Sequence, residues 1–120
     1  MKPNQLEERL IQSAIDVIIG CKNIDQTFVS QHLAKQLIRS GTSAAFNYGE
    51  AQSGESKRDF LHKMKLCLKE LRECMINLKI QKGSDLFLDI VRVDFLLKEN
   101  DELISIFVSS IKTASAKLKF

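Results

Sequence analysis

Six basic side chains recur at helical spacing in the third quarter of this 120-residue sequence. Projected at about 100° per residue, they fall within an arc of roughly 100° on one side of a helix. A row of Arg and Lys about 30 Å long could contact successive phosphates, and each contact adds affinity by releasing counterions. The pattern therefore allows two interpretations: nucleic-acid binding through a basic stripe, and, favoured by the residues alone, a solvated helix face with ordinary intrahelical ion pairs. The stripe consists of Arg58, His62, Lys65, Lys69, Arg72 and Lys79.

A second polar set follows a helical period within a run of small residues. Its members are Ser40, Ser43, Asn47 and Glu50, spaced 3, 4 and 3 residues apart. Such groups satisfy the charged groups of a neighbouring helix, so we expect a contact to Asp59 or Lys63. A nucleophilic serine needs a base, and none of these serines has a histidine near it in the sequence.

Metal and redox chemistry find little support in the sequence. A di-iron bundle needs two Glu-x-x-His pairs and two further Glu, whereas the only histidines are His32 and His62. Three cysteines without a C-x-x-C pair argue against a disulfide framework or a zinc site and favour a reducing compartment. Cys67 and Cys74 lie on an apolar helix face, where cysteine is usually a small buried hydrophobe. We therefore predict no cofactor, no metal and no enzymatic activity.

Composition places the chain among ordinary globular proteins. Apolar residues make up 44% and charged residues 28%, which excludes collagen-like and wholly disordered chains. The net charge of +3 is too small to indicate a partner by itself, although residues 85–111 carry six acidic and two basic side chains. No stretch approaches the roughly 20 apolar residues of a membrane span, and no secretory signal is visible. We expect a cytoplasmic protein without a membrane partner.

The apolar pattern predicts the elements that carry the stripe. With one Pro and five Gly, the sequence has few of the turn-forming residues that a β-protein needs. We predict helices over about 4–19, 26–48, 56–81 and 85–117, with Asp25 or Thr27 capping the second and Ser53 or Ser56 the third. Residues 1–120 would then form a single all-α domain, an antiparallel up-down four-helix bundle. The predicted core includes Leu33, Leu37, Phe60, Met64, Cys67, Leu71, Leu78, Ile104 and Val108.

The last predicted helix has two apolar faces near its start. Leu86, Ile90, Val93 and Leu97 share one face, and Leu88, Val91 and Phe95 lie nearly opposite. One bundle core can cover only one of these faces, so the second predicts a homo-oligomer interface. A bend, or coverage of both faces by the first helix, is the alternative.

Several motifs carry a resemblance to a known family. These are Arg-Ser-Gly-Thr-Ser at 39–43, Asn-x-x-Glu-Ala at 47–51 and Asp-Phe-x-x-Lys at 59–63. In this order the sequence resembles the bacterial four-helix-bundle family named for members encoded by intervening sequences inside large-subunit ribosomal RNA genes. The similarity covers most of residues 30–80 and, more loosely, residues 100–112. One departure is Ile76-Asn77, where the family usually has an aromatic pair.

The resemblance implies a homopentameric barrel of four-helix protomers without known enzymatic activity. Related accessory proteins of diversity-generating retroelements bind nucleic acid and a reverse transcriptase through basic surfaces. Two functions follow as hypotheses. The first is an RNA-binding accessory that uses the stripe and a basic tail of Lys117 and Lys119. The second is a scaffold whose stripe meets solvent or the acidic Asp85, Asp89 and Asp94 of a neighbouring helix.

Overall fold

Four α-helices joined by short connections make up the protein. The computed structural model describes residues 1–22, 24–86 and 89–118. The helices are α1 Pro3–Cys21, α2 Phe28–Gln52, α3 Lys57–Gly83 and α4 Ile90–Leu118. Each packs against the next along the chain and α4 returns to α1, so they surround one core in sequence order. The described residues contain no strand and measure 51 by 21 by 20 Å, which confirms the predicted all-α four-helix bundle.

Two helices begin at the predicted caps. The Thr27 hydroxyl accepts a hydrogen bond from the Ser30 N–H at 3.2 Å, and the Ser56 hydroxyl accepts one from the Asp59 N–H at 3.1 Å. Each cap satisfies a backbone donor that the first helical turn leaves free. The first helix starts slightly earlier than predicted, at Pro3, because proline has no N–H to leave unpaired at that position.

Two further helix boundaries differ from the prediction by four or more residues. α2 continues through Gly49 to Gln52, because burial of Tyr48 and Ala51 in the core outweighs the weak helix propensity of glycine. α4 begins at Ile90 rather than near residue 85. Asp85 has a φ of 57° and closes α3, with the Leu86 N–H donating to the Gln81 carbonyl at 3.0 Å. This left-handed turn ends α3 and cannot also start α4.

The core matches the prediction on α2 and α3 and departs from it on α4. Leu37, Met64, Cys67, Leu71 and Leu78 are buried, whereas Leu33 and Phe60 are partly buried. On α4 the buried residues are Leu103 and Phe107. Ile104 is partly buried and packs against the core, as Phe60 does, whereas Val108 is exposed, so the prediction for Val108 is wrong.

A buried amide helps to fix the rotation of α4. Asn100 Nδ2 donates to the Leu71 carbonyl of α3 at 2.8 Å. The Phe107 ring then meets the Tyr48 ring of α2 edge-on, with centroids 5.7 Å apart. These contacts turn Leu103 and Phe107 inward, and Val108 consequently lies outside the core.

Small residues of α2 face both of its neighbours. The carbonyl of the buried Ala44 accepts a hydrogen bond from the Cys67 thiol of α3 at 3.4 Å. Gly41 faces α1 instead, where an added Cβ would lie 3.8 Å from a methyl group of Val17. In the described part of the chain, no helix is both long and apolar enough to cross a membrane.

Candidate functional site

The basic stripe lies on the solvent side of α3. All six of its side chains are exposed, with Arg58 in the first turn and Lys79 near the end. Within the described residues, no carboxylate lies within 4.0 Å of any stripe nitrogen. The stripe therefore keeps its positive charge uncompensated by direct ion pairs.

Two of the three acidic residues of α3, Glu70 and Glu73, contact α2 instead of pairing with the stripe. Glu70 lies 3.4 Å and Glu73 2.8 Å from the Arg39 guanidinium, and the Ser40 hydroxyl donates to Glu73 at 3.2 Å. Partial burial by itself raises the pKa of Glu73. The hydrogen bonds from Arg39 and Ser40 and the positive charges of Arg39 and Lys69 outweigh this effect, so the pKa of Glu73 lies below its usual value. The intrahelical pairs expected for a merely solvated face are absent among the described residues.

The acidic segment of α4 does not neutralise the stripe within one protomer. Asp94 pairs with Lys82 at 2.6 Å, and Lys82 is not a member of the stripe. Asp85 and Asp89 are exposed and lie more than 4.0 Å from every described basic nitrogen. If these acids contact the stripe, they do so in another copy of the chain.

The stripe borders an apolar surface that was not predicted from the sequence. Lys65, Lys69 and Arg72 border an open groove of about 700 Å³ against α2, which Leu33 also lines. The groove continues along α3 over Ile76 and Ile80, whose side chains are 57% and 47% exposed. The helical projection that identified the stripe places both isoleucines within its arc, so the signal was present in the sequence.

The other end of the stripe is the more basic one. Arg58, His62 and Lys65 border a second open pocket of about 420 Å³ against the last turn of α4. On the far side of that turn, Lys117 and Lys57 line a third pocket together. α4 thus adds Lys117 to the cations at the start of α3, whereas Lys119 lies outside the described residues.

The other polar residues and the cysteines identified in the sequence make contacts within the bundle. Glu50 forms the predicted ion pair with Lys63 at 2.5 Å, and Asn47 donates to the Ser43 carbonyl in its own helix. Burial raises the pKa of the Cys67 and Cys74 thiols to about 12 each, so neither is a reactive thiolate near neutral pH. The described residues contain no group of three or more His, Cys, Asp or Glu side chains placed to hold a metal ion.

The predicted outer face of α4 is open in the protomer. Val91 and Phe95 are 75% and 54% exposed, and Leu88, assigned to the same interface, lies outside the described residues. Of the opposite face, Val93 is buried and Leu97 partly buried, while Ile90 is exposed. The bundle core therefore covers only one side of this helix.

The complete arrangement is similar to a solved bacterial structure. A crystal structure of a protein with unknown function from the S23 ribosomal protein family of Bacteroides thetaiotaomicron superposes with a TM-score of 0.80. The two sequences are 25% identical, and the match covers 93% of this chain and 99% of the other. No family model matches the sequence, and a search of curated proteins finds no significant relative. The four-helix fold is therefore one that a bacterial protein from the S23 ribosomal protein family also adopts.

Proposed function

We propose that this protein is a non-enzymatic homo-oligomeric bundle that binds RNA through the stripe. The observation that carries the proposal is the set of six exposed cations without a direct carboxylate partner among the described residues. Acidic residues three or four positions away can pair with the basic residues of a helix, but here Glu70 and Glu73 are engaged by Arg39. An uncompensated row about 30 Å long suits a run of phosphates.

The resemblance to the intervening-sequence family supports the same proposal. It suggests a pentamer as the first choice of assembly and, through the related retroelement accessory proteins, a reverse transcriptase as a protein partner. The structural neighbour comes from the S23 ribosomal protein family, and its own function is unknown. We place the protein in the cytoplasm, which agrees with its three free cysteines.

RNA binding across a salt series tests the proposal. The variant Arg58→Glu/Lys65→Glu alters the basic end of the stripe, and Lys22→Glu/Lys35→Glu makes the same charge change on other exposed surfaces. We expect the logarithm of affinity to fall with the logarithm of salt for the unaltered protein and the control. The slope should be shallower by about 2 in the stripe variant, because each lost phosphate contact removes about 1.

A scaffold without nucleic-acid binding is the second candidate, favoured by the exposed Ile76 and Ile80 beside the stripe. The scaffold would be supported if the stripe variant and the control variant weakened RNA binding equally. It would also be supported if the unaltered protein bound no RNA at low salt.

A further inference from the structure

Two exposed helix faces share one spacing in opposite directions. On α3 the face consists of Ile80, Ile76, Glu73 and Lys69, and on α4 it consists of Val91, Phe95, Lys98 and Glu102. Each series is separated by 4, 3 and 4 residues, so each forms a row on one side of its helix. The two rows are equal in length, about 17 Å at about 1.5 Å per residue.

The rows are complementary when the helices are antiparallel. Ile80 then lies opposite Val91, and Ile76 lies opposite Phe95, so the four exposed apolar side chains would cover one another. At the next two levels Glu73 meets Lys98, and Lys69 meets Glu102. The carboxylate-bearing side chains of Glu73 and Glu102 remain 40% and 54% exposed beside their partners in the protomer, which leaves them accessible to a second cation.

Shifting the two rows by one helical turn in either direction removes this pairing of opposite charges. A shift of one helical turn in one direction places Lys98 opposite Lys69, and a shift in the other direction places Glu102 opposite Glu73. Like charges in direct contact disfavour both alternatives, so the charge pattern selects a single register.

One protomer cannot satisfy both rows by itself. The α3 row borders the groove lined by Leu33 of α2, whereas the α4 row borders α1, where Arg9 lies 3.4 Å from Glu102. The rows therefore point to different sides of the bundle. A contact between two different surfaces of identical chains is head-to-tail, and such contacts build rings or filaments.

We infer that the α3 row of one protomer receives the α4 row of a second copy in this antiparallel register. The inference rests on the homo-oligomer of the proposed function and names its interface. Arg58, His62 and Lys65 lie outside the two matched rows, towards the start of α3. In the assembly, RNA binding therefore falls to this basic end of the stripe, while Lys69 is engaged by Glu102.

Sedimentation of charge-reversal variants tests the interface. We expect Lys69→Glu and Glu102→Lys each to raise the concentration needed for assembly by about tenfold or more, since each places like charges together. The combined variant Lys69→Glu/Glu102→Lys restores the pair with opposite polarity and should assemble again. Lys35→Glu makes the same charge change at an exposed position of α2 that lies outside both rows and outside the groove, so this variant should assemble like the unaltered protein.

Phe95→Ser gives an independent measurement, because it removes exposed apolar area and leaves the core untouched. We expect it to weaken assembly at least as strongly as Lys69→Glu. A monomer of 13.6 kDa at micromolar concentration for the unaltered protein would overturn the inference. So would single variants that assemble normally, or a combined variant that stays dissociated. The RNA-binding proposal and the interface proposal can fail separately. Loss of RNA binding in Arg58→Glu/Lys65→Glu with assembly intact would not contradict the proposed interface.

Discussion

The contact between α2 and α3 and the contact between α1 and α4 are built in different ways. The first is the most extensive in the bundle and the second the least. Between α2 and α3 the buried Ala44 and Cys67 bring the backbones close, and Asn77 Nδ2 donates to the Leu33 carbonyl at 2.9 Å. Between α1 and α4 the main polar link is a two-pronged ion pair of Arg9 with Glu99, with both distances 2.7 Å. Close backbone packing thus distinguishes one side of the bundle, whereas an ion pair of long side chains beside the shared apolar core distinguishes the other.

Added volume between α2 and α3 should have the largest effect. Ala44 is buried beside a cavity of only about 10 Å³, which cannot hold three more carbon atoms. We expect Ala44→Leu to lower the free energy of unfolding by about 2 kcal/mol through overpacking. Urea denaturation measures this loss. Ala116→Leu, the same change at an exposed position of α4, should leave stability nearly unchanged. Equal losses in the two variants would show that α2 and α3 are not tightly packed there.

Removal of the ion pair should loosen the opposite side. Arg9→Met keeps much of the side-chain volume but leaves Glu99, which is partly buried, without its partner. We expect a loss of about 1 kcal/mol, because the pair is charge-assisted but still reached by water. Amide hydrogen exchange should show the loss mainly in α1 and much less in α3. A uniform loss of protection in all helices would contradict the contrast between the two contacts.

A gain in stability should come from the side of α2 that faces α1. Gly41 has a helical backbone, and an added methyl group would make ordinary contact with Val17 at 3.8 Å. We expect Gly41→Ala to stabilise the protein by about 0.5–1 kcal/mol, measured as a higher urea midpoint. Gly49→Ala is the matched control for propensity alone, because nothing lies within 4 Å of its added Cβ. A loss of stability in Gly41→Ala would show that the small residue is required there, as Ala44 is.

The sequence predicted those parts of the fold that local patterns determine. The apolar seam of α3 and the caps Thr27 and Ser56 were placed correctly because periodicity and capping act within a few residues. Val108 of α4 was wrongly predicted to be buried because apolar residues occupy five of the six positions from 103 to 108. Several rotations of α4 about its axis fit such a pattern. In the observed rotation Asn100 donates a hydrogen bond to α3, a contact between helices that the local pattern does not show.

For the candidate site, too, only the features set by local spacing were predicted. The position and exposure of the stripe follow from helical spacing alone. The engagement of Glu70 and Glu73 by Arg39 does not, because that residue lies 31 and 34 positions earlier in the chain. Ile76 and Ile80 were not predicted, because the spacing of charged side chains carries no information about the apolar residues between them.

The buried amide of Asn100 also determines how high α4 sits along α3. Sliding α4 by one turn would leave the buried Asn100 amide without its hydrogen-bond acceptor, at a cost of about 1–3 kcal/mol. This hydrogen bond therefore fixes the position of α4 along the axis of α3. Inside the protomer, position 100 of α4 lies level with position 71 of α3. In the proposed contact, positions 98 and 102 of the neighbour lie level with 73 and 69, which is the same axial pairing. Each added copy would then be neither raised nor lowered relative to the last. A head-to-tail series with almost no rise per protomer closes into a flat ring where its rotation divides a full turn, whereas a series with a rise continues as a fibre.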